Sequence, residues 1–400
     1  MKVILANKFF FLNGGSETVF FQERAFLLAT GVGVVDFSMQ DERNFPSPYT
    51  DAFVGPRSYR QGAGGAWSKI ASAWSLIHSS EAVKRIAALI ERANPDILHC
   101  HNVYHQLTPS IMRTAKRMGV KVVLTLHDYK VICPTYTRLR NGEVCDACQN
   151  GDFFNVVRYR CADGSLGKSG LLYAEALTQR AMGSYECVDR VITVCRFMLD
   201  AVTRWRFPKE RVSLLYNGVD LARFPSAAAA EGNYILFIGR LSREKGLLTL
   251  GKAQVGTAIR VIVAGTGPLE PVLRRDYPGL ELVGHQSGEA LKSLISGAAA
   301  VVLPSECYEN CPMALLEAMA AGRPTIGTRM GGIPELIADQ ETGVLFPAGD
   351  HRALRRCMQD LMSDAERQQK MGQLGRSRVE KCFSLTAHND ELLKIYESVL

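Results

Sequence analysis

Two carboxylates bracket the segment Glu309-Asn-Cys-Pro-Met-Ala-Leu-Leu-Glu317, which follows an apolar run ending in Leu303-Pro304-Ser305. Pro312 suits the first turn of a helix, and LLEAMAAG reads as a helix closed by Gly322. Glu309 then falls in the loop before the helix, and Glu317 lies over a turn inside it. At the mouth of a sheet, this pair would accept hydrogen bonds from two separate hydroxyl groups of one ligand. Free backbone N–H groups at the helix start would take phosphate or hydroxyl oxygens. A helix cap and a surface glutamate have the same spelling. Arg240 and Lys245, in GRLSREKG, follow a second apolar run. Two fixed cations at a strand's carboxyl end suit a diphosphate, whose charge must be neutralised as it leaves. An ordinary basic loop is the alternative.

Weaker signals accompany these. Gly14 and Gly15 stand where a first strand would turn into a helix, and glycine there permits close backbone approach to a phosphate or sugar. AGTGPLE, with Gly265 and Gly267, reads as a tight turn or a second phosphate contact. His127 ends the strand-like VVLTL, where a histidine facing a cleft binds a hydroxyl or moves a proton, unless it packs against backbone. HCHNVYH supplies His99, His101 and His105. A zinc triad is one reading, but a strand puts only the first two on one face, and a polar cleft wall is the expectation. Cys133, Cys145, Cys148 and Cys161 are spaced C-x11-C-x2-C-x12-C in an insertion poor in apolar residues. A structural zinc held by four thiolates would organise such a segment, with free thiols or an oxidised pair as alternatives.

The elements that must carry these groups alternate along the chain. Strands are expected in KVILANKFF and at 32–39, 96–100, 121–126 and 190–194, separated by helices at 17–30, 68–92 and 108–118. A second series has strands at 234–238, 260–264, 280–283, 300–303 and 325–327, and TGVLFPAGD reads as its last turn before a charged helical tail. Such alternation predicts parallel sheets with crossover helices. The expectation is therefore an α/β protein of two doubly wound, Rossmann-like domains facing a central cleft. One spans 1–225 and the other 226–384, with the alanine-rich stretch at 226–232 as linker. Ligands on such sheets sit at the carboxyl ends of the strands.

Composition excludes several classes. With 400 residues, 47% hydrophobic and 22% charged, the chain can bury a large core and is neither disordered, collagen-like nor coiled coil. No apolar run reaches the ~18 residues of a spanning helix. The opening MKVILANKFFFLNGG reads as a buried strand rather than a signal peptide. Eleven cysteines then favour a reducing, cytoplasmic compartment. The net charge is +7, and residues 1–225 hold 28 Lys and Arg against 20 Asp and Glu, so the excess lies in the first half. Such a half suits an anionic partner or a solvated basic face.

Taken together, these segments resemble the retaining glycosyltransferases of family four, with their two-domain GT-B fold. The match rests on NGGSE, LTLHDYKVICP, NGVD, GRLSREKG, PSECYENCPMALLEAMAAGRPTIGT and GGIPELI. The resemblance implies a first domain that binds acceptor and a second that binds a nucleoside diphosphate sugar. It further implies a final helix, from about residue 385, that crosses back to the first domain. It implies that Glu317 holds the donor ribose and that Glu309, with the backbone of Asn310 and Cys311, holds the donor sugar. Arg240 and Lys245 would hold the diphosphate, His127 would contact the transferred sugar, and Gly14 and Gly15 would approach the phosphate and the acceptor. Many members carry Gly-Phe-Gly where this chain has Asn-Cys-Pro after Glu309, so the backbone contacts to the sugar are expected to differ. The insertion after HDY is similar to that of enzymes of bacterial exopolysaccharide or cell-surface glycan assembly, whose acceptors are glycans or lipid-linked.

No catalytic metal is required for such a transfer, and no nucleic acid is an expected partner. Trp67, Ile70 and Trp74 recur at helical spacing, with Lys69, Lys84 and Arg85 nearby. They would either pack into the first domain or lie on an anionic membrane at the inner face of the plasma membrane. Competing readings are a sugar-nucleotide-binding regulator, which the intact charged set argues against, and an epimerase or phosphorylase on a similar fold. A dinucleotide oxidoreductase fits worst, because no G-x-G-x-x-G follows the first strand.

Overall fold

The computed structural model describes residues 1–56, 74–204, 206–224 and 232–400. Two six-stranded sheets, all of whose pairs are parallel, dominate it. The first contains β1 (Lys2–Ala6), β2 (Gly33–Phe37), β3 (Ile97–Cys100), β4 (Lys121–Leu126), β7 (Arg190–Thr193) and β8 (Val212–Leu214), in the order β2-β1-β3-β4-β7-β8. The short strands β5 (Leu139–Arg140) and β6 (Glu143–Val144) form a separate hairpin in the cysteine-bearing insertion. The second large sheet contains β9 (Ile235–Ile238), β10 (Val261–Ala264), β11 (Leu280–Gly284), β12 (Ala300–Leu303), β13 (Thr325–Thr328) and β14 (Gly343–Phe346), in the order β11-β10-β9-β12-β13-β14. The doubly wound expectation holds for both.

The strands form for a simple reason. VIVA, ILFI and AVVL are continuous apolar runs, and parallel strands covered by helices on both faces bury every residue or nearly so. One apolar cluster fills the second half, including Leu236, Phe237, Val302, Leu316 and Phe346. The first sheet has a cluster on each face. One of these receives Leu392, Ile395 and Tyr396 of the last helix, Leu385–Glu397, beside Val3, Leu5 and Ile97 of the first sheet. The chain's final helix thus seals the first half.

Three expectations are corrected. TGVLFPAGD is not a turn: Gly343–Phe346 is the edge strand β14, fully buried, paired with β13. Its short apolar core had been outweighed by the flanking Gly and Pro. The single helix expected at 68–92 is broken. A helical turn at 74–77 ends at His78, and a new helix, Ser80–Ala93, starts where the Ser79 hydroxyl accepts the Ala82 N–H at 3.0 Å. His99 and His101 do not line a cleft wall; they are 0% and 2% exposed, in the interior. The expected linker at 226–232 lies, save Gly232, outside the described residues, as do Trp67, Lys69 and Ile70.

Candidate active site

Loops at the carboxyl ends of the two large sheets bring Lys245 to Glu309 and Asn310 to His127. Arg240 leaves the end of β9 exposed to solvent. Lys245 follows in a single 3-10 turn, Arg243–Lys245, closed by Gly246 in the left-handed region at φ 72°. A Cβ at Gly246 would sit 1.8 Å from the Pro304 carbonyl oxygen, so only glycine lets the cation loop press on the end of β12. That contact carries Lys245 to Glu309: Nζ lies 2.5 Å from Oε1. The Ser305 hydroxyl donates to the same oxygen at 2.6 Å. Burial opposes charge on both partners, yet each prevails for the other. The Glu309 carboxyl is held below its ordinary range and the Lys245 ammonium above its own. Both are therefore charged at neutral pH.

Glu317 lies in the helix Met313–Ala320, as its sequence position predicts, and Pro312 caps that helix. Its carboxyl accepts no hydrogen bond from a described residue. Burial raises its pKa and the Arg223 cation partly offsets this. The loop between the two glutamates is pinned from several sides. Asn310 donates its amide to the carbonyl of His127 at 2.8 Å, and Asn217 donates to the Cys311 carbonyl at 2.8 Å. Gly331 and Gly332, of GGIPELI, lie flat on the Glu309 and Asn310 carbonyls, where a Cβ would come within 2.2 and 1.9 Å. The backbone N–H groups of Asn310 and Cys311 donate to no described acceptor, so they remain for a ligand.

The first half closes over this loop. Gly14 is the N-cap of the helix Gly15–Ala29, both glycines are exposed, and a Cβ on Gly15 would lie 3.5 Å from the Met313 side chain. Tyr308 packs on Phe197 with ring centroids 4.7 Å apart. Glu335, absent from the sequence-level candidates, accepts the N–H groups of Arg196 and Phe197 at 2.7 Å each and the Tyr216 hydroxyl at 2.8 Å. It thereby caps a helix of the opposite half.

His127 reaches the end of β4 and stands on a buried chain of ionisable groups. Its Nε2 lies 2.9 Å from Nδ1 of His101, and the rings are stacked at 5.1 Å. The other nitrogen of His101 lies 3.3 Å from Oε2 of Glu23, which is 1% exposed. Oε1 of Glu23 lies 3.1 Å from Nε2 of His388, on the last helix, and Nδ1 of His388 lies 2.7 Å from the Tyr216 carbonyl. A carbonyl and a carboxylate only accept, so both nitrogens of His388 donate and the ring is an imidazolium. Its pKa is raised: burial resists the charge and Glu23 overrides it. Glu23 is correspondingly held well below the usual carboxylate range, burial resisting and His101 and His388 prevailing. Burial, with His101 adding to it, pushes His127 down to about 3, so its ring is neutral. With the His127 ring neutral, an Nε2–H that donates to Nδ1 of His101 leaves Nδ1 of His127 as a hydrogen-bond acceptor.

Glu23, His99 and His101 are the group of described residues whose ligating atoms all lie within 4.8 Å of one another. Both nitrogens of His99 are already taken, by the Tyr396 hydroxyl at 2.7 Å and the Thr125 hydroxyl at 2.8 Å. The cluster is a hydrogen-bonded core network. His105 stands apart, its Nδ1 3.7 Å from Glu175. Asp128 also went unused in the sequence reading; burial pushes its carboxyl up to about 6, and it accepts from the Tyr104 hydroxyl and the Lys130 N–H. Glu23 and His388 could not be found from sequence because 365 positions separate them. Cys133, Cys145, Cys148 and Cys161 are all free thiols lining one cavity of about 20 Å³.

Two family models cover the chain: Glycosyltransferase Family 4 over residues 13–223 and Glycosyl transferases group 1 over 219–378. The chain belongs to glycosyltransferase family 4. Among curated relatives, WcaL of Escherichia coli, named for colanic acid biosynthesis, is 31% identical over 212 residues, 48% of this chain and 52% of its own. Glycogen synthase of Mycobacterium tuberculosis is 30% identical over 212 residues, 49% and 50%. The chain spans about half the length of these relatives. Among solved structures, sucrose-phosphate synthase of Thermosynechococcus elongatus superposes with a TM-score of 0.71 at 20% identity, covering 99% of this chain and 98% of that one. Anabaena HepE, in complex with UDP and glucose, superposes at 0.68 and 14% identity, with both chains covered in full. The fold is GT-B.

Proposed function

We propose that this protein moves a sugar from a nucleoside diphosphate sugar to an acceptor hydroxyl with retained anomeric configuration, in the assembly of a polysaccharide or cell-surface glycan. The observation that carries this reading is the Lys245–Glu309 pair, whose lysine shares a loop with the exposed Arg240 at the carboxyl end of the second sheet. Family membership supports it, as does the UDP-glucose complex of HepE.

Each residue then has a chemical task. Lys245 spends one N–H bond on Glu309 and keeps two for the diphosphate, with Arg240 as the second cation. Their charge stabilises the leaving group as the glycosidic bond breaks, so the scheme needs no catalytic metal. Glu309 accepts from Lys245 and Ser305 on Oε1, leaving Oε2 to accept from sugar hydroxyls. The N–H groups of Asn310 and Cys311 donate to the sugar, Glu317 accepts from the ribose hydroxyls, and Nδ1 of His127 accepts from a hydroxyl of the transferred sugar. Gly14 and Gly15 let the first helix approach the phosphate and the acceptor. A thermal-shift screen of UDP-, GDP- and ADP-sugars, followed by mass spectrometry and anomeric analysis of products on lipid-linked acceptors, tests the reading. One donor class should raise Tm and yield a product heavier by one sugar with the donor's configuration. An inverted product or no turnover with any donor overturns it.

The cytoplasmic face of a membrane is the proposed place of action. Among the described residues, no helix is long and apolar enough to cross a membrane. Trp74 is 51% exposed and Lys84 is exposed, as a lipid-facing surface requires, whereas Arg85 is engaged by Glu81 and the Asp51 carbonyl. Sedimentation with anionic vesicles at low salt should occur, weaken with salt, and fall markedly in Trp74→Ala/Lys84→Glu. Equal recovery with neutral and anionic vesicles rejects membrane contact.

A further inference from the structure

We propose that Cys133, Cys145, Cys148 and Cys161 bind one zinc ion, which fixes the insertion so that its hairpin braces the cation loop of the second half. The first part stands on the thiols themselves; the second rests on the donor-site reading above. The four side chains come from three separate places: the turn after β4, the loop after β6, and the turn that follows the short helix Asn155–Arg158. They meet around one cavity of about 20 Å³, the size of a single small body. Four cysteines on one cavity with a C-x2-C centre match a four-thiolate zinc site, and thiolates select zinc over hard cations.

A second observation points the same way. Of the nine non-glycine residues at positive φ among the described residues, five lie in this insertion: Tyr136, Arg138, Asn141, Arg160 and Asp163. Such backbone persists only where its surroundings hold it, and the hairpin β5–β6 offers just two residue pairs. On binding, the four thiols release their protons to solvent and the thiolates close on the ion. No three of the sulfurs lie within 4.8 Å of one another here, so closure draws them inward. Arg138 lines the same cavity and is paired there with Asp146.

The insertion also touches the donor half. Arg138 lies over the rings of Tyr129 and Tyr308, at 4.8 and 4.4 Å, and Tyr308 precedes Glu309. At the hairpin turn, a Cβ on Gly142 would lie 3.5 Å from Nε of Arg243, in the cation loop. Metal at the cysteines would therefore steady both contacts.

Metal analysis of the full chain, purified without chelator, should give about one zinc per chain. An organomercurial should release it as it caps four further thiols, consuming four further equivalents. Cys148→Ser should lose the zinc, while Cys382→Ser, at an exposed cysteine outside the cluster, should keep it. In the unaltered chain, stripping should make 139–144 sensitive to limited proteolysis and raise donor KM several-fold more than it lowers kcat. A folded, metal-free chain with four freely titrating thiols, two disulfides by mass, or bound iron with visible absorbance overturns the zinc site. Unchanged donor KM on stripping overturns the bracing role alone. Absence of turnover with any donor bears on the transferase reading and leaves the metal count to decide the site.

Discussion

Lys245→Ala is expected to lower turnover by about 10²–10³-fold while the sheets stay folded. The size follows from removing one fixed charge that stabilises a leaving group in a partly water-excluded site. Lys245 sits in a 3-10 turn between β9 and the helix Leu247–Gln254, so it supports no core strand. Its loss acts twice. On the proposed reading the diphosphate loses a cation, and Glu309 loses the partner that keeps it ionised against burial, retaining only the Ser305 hydroxyl and a distant Cys307 thiol. The variant's Glu309 should then titrate at higher pH than the wild type's. Activity in Lys245→Ala should accordingly show an acid limb displaced upward, which a cation that only bound phosphate would not cause. Glu309→Ala should be similarly inactive without that displacement. Near-normal kcat in either variant, with unchanged melting, removes both residues from the reaction.

The sequence made the second half of this site legible and left the floor of the first half hidden. Arg240, Lys245, Glu309 and Glu317 come from motifs in which cause and effect lie close together: a strand, a loop and a helix start within a few residues. Glu309 and Lys245 meet because Gly246 lets one loop press on the next, a contact hinted at only by the glycine. Cys133 to Cys161 likewise declared themselves by spacing. The supports of His127 did not. Glu23 looks like an ordinary residue in an amphipathic helix, and His388 lies in a charged tail whose period says helix but not destination. Their pairing depends on the last helix returning to the first sheet. Glu335 and Asn217 were missed for the same reason: each is a polar residue whose partner belongs to the opposite half. The edge strand β14 failed on a local conflict, three apolar residues between the turn formers Gly343 and Pro347, which tertiary pairing resolved.

Glu23→Ala is expected to destabilise the protein by about 3–5 kcal/mol, the cost of stripping one partner from a buried charge pair. The imidazolium of His388 would be left with only a carbonyl, and His101 would lose the carboxylate that orients it. The pH dependence of the wild type carries the same signature. Folded Glu23 is held below its unfolded value near 4.5, so its contribution is present above that pH and lost as pH falls through it. Burial holds His99 and His127 below their unfolded value of 6.5, so the unfolded chain takes up protons the folded chain refuses, and stability falls as pH drops below 6.5. Each such proton is worth about 1.4 kcal/mol per pH unit. His388 has the opposite sign: its raised pKa contributes fully below 6.5 and is lost as pH rises through the folded value. Stability should therefore be greatest near neutrality, fall steeply toward pH 5, and soften on the alkaline side. Urea titrations across pH 5–9 measure this directly. In Glu23→Gln the alkaline softening should disappear, because His388 no longer gains a proton on folding, and His127 should sense the change through His101, visible as altered imidazole nitrogen shifts in a labelled sample. An alkaline limb that survives Glu23→Gln, or His127 shifts that do not move, would show that the last helix and His127 are not joined through this carboxylate.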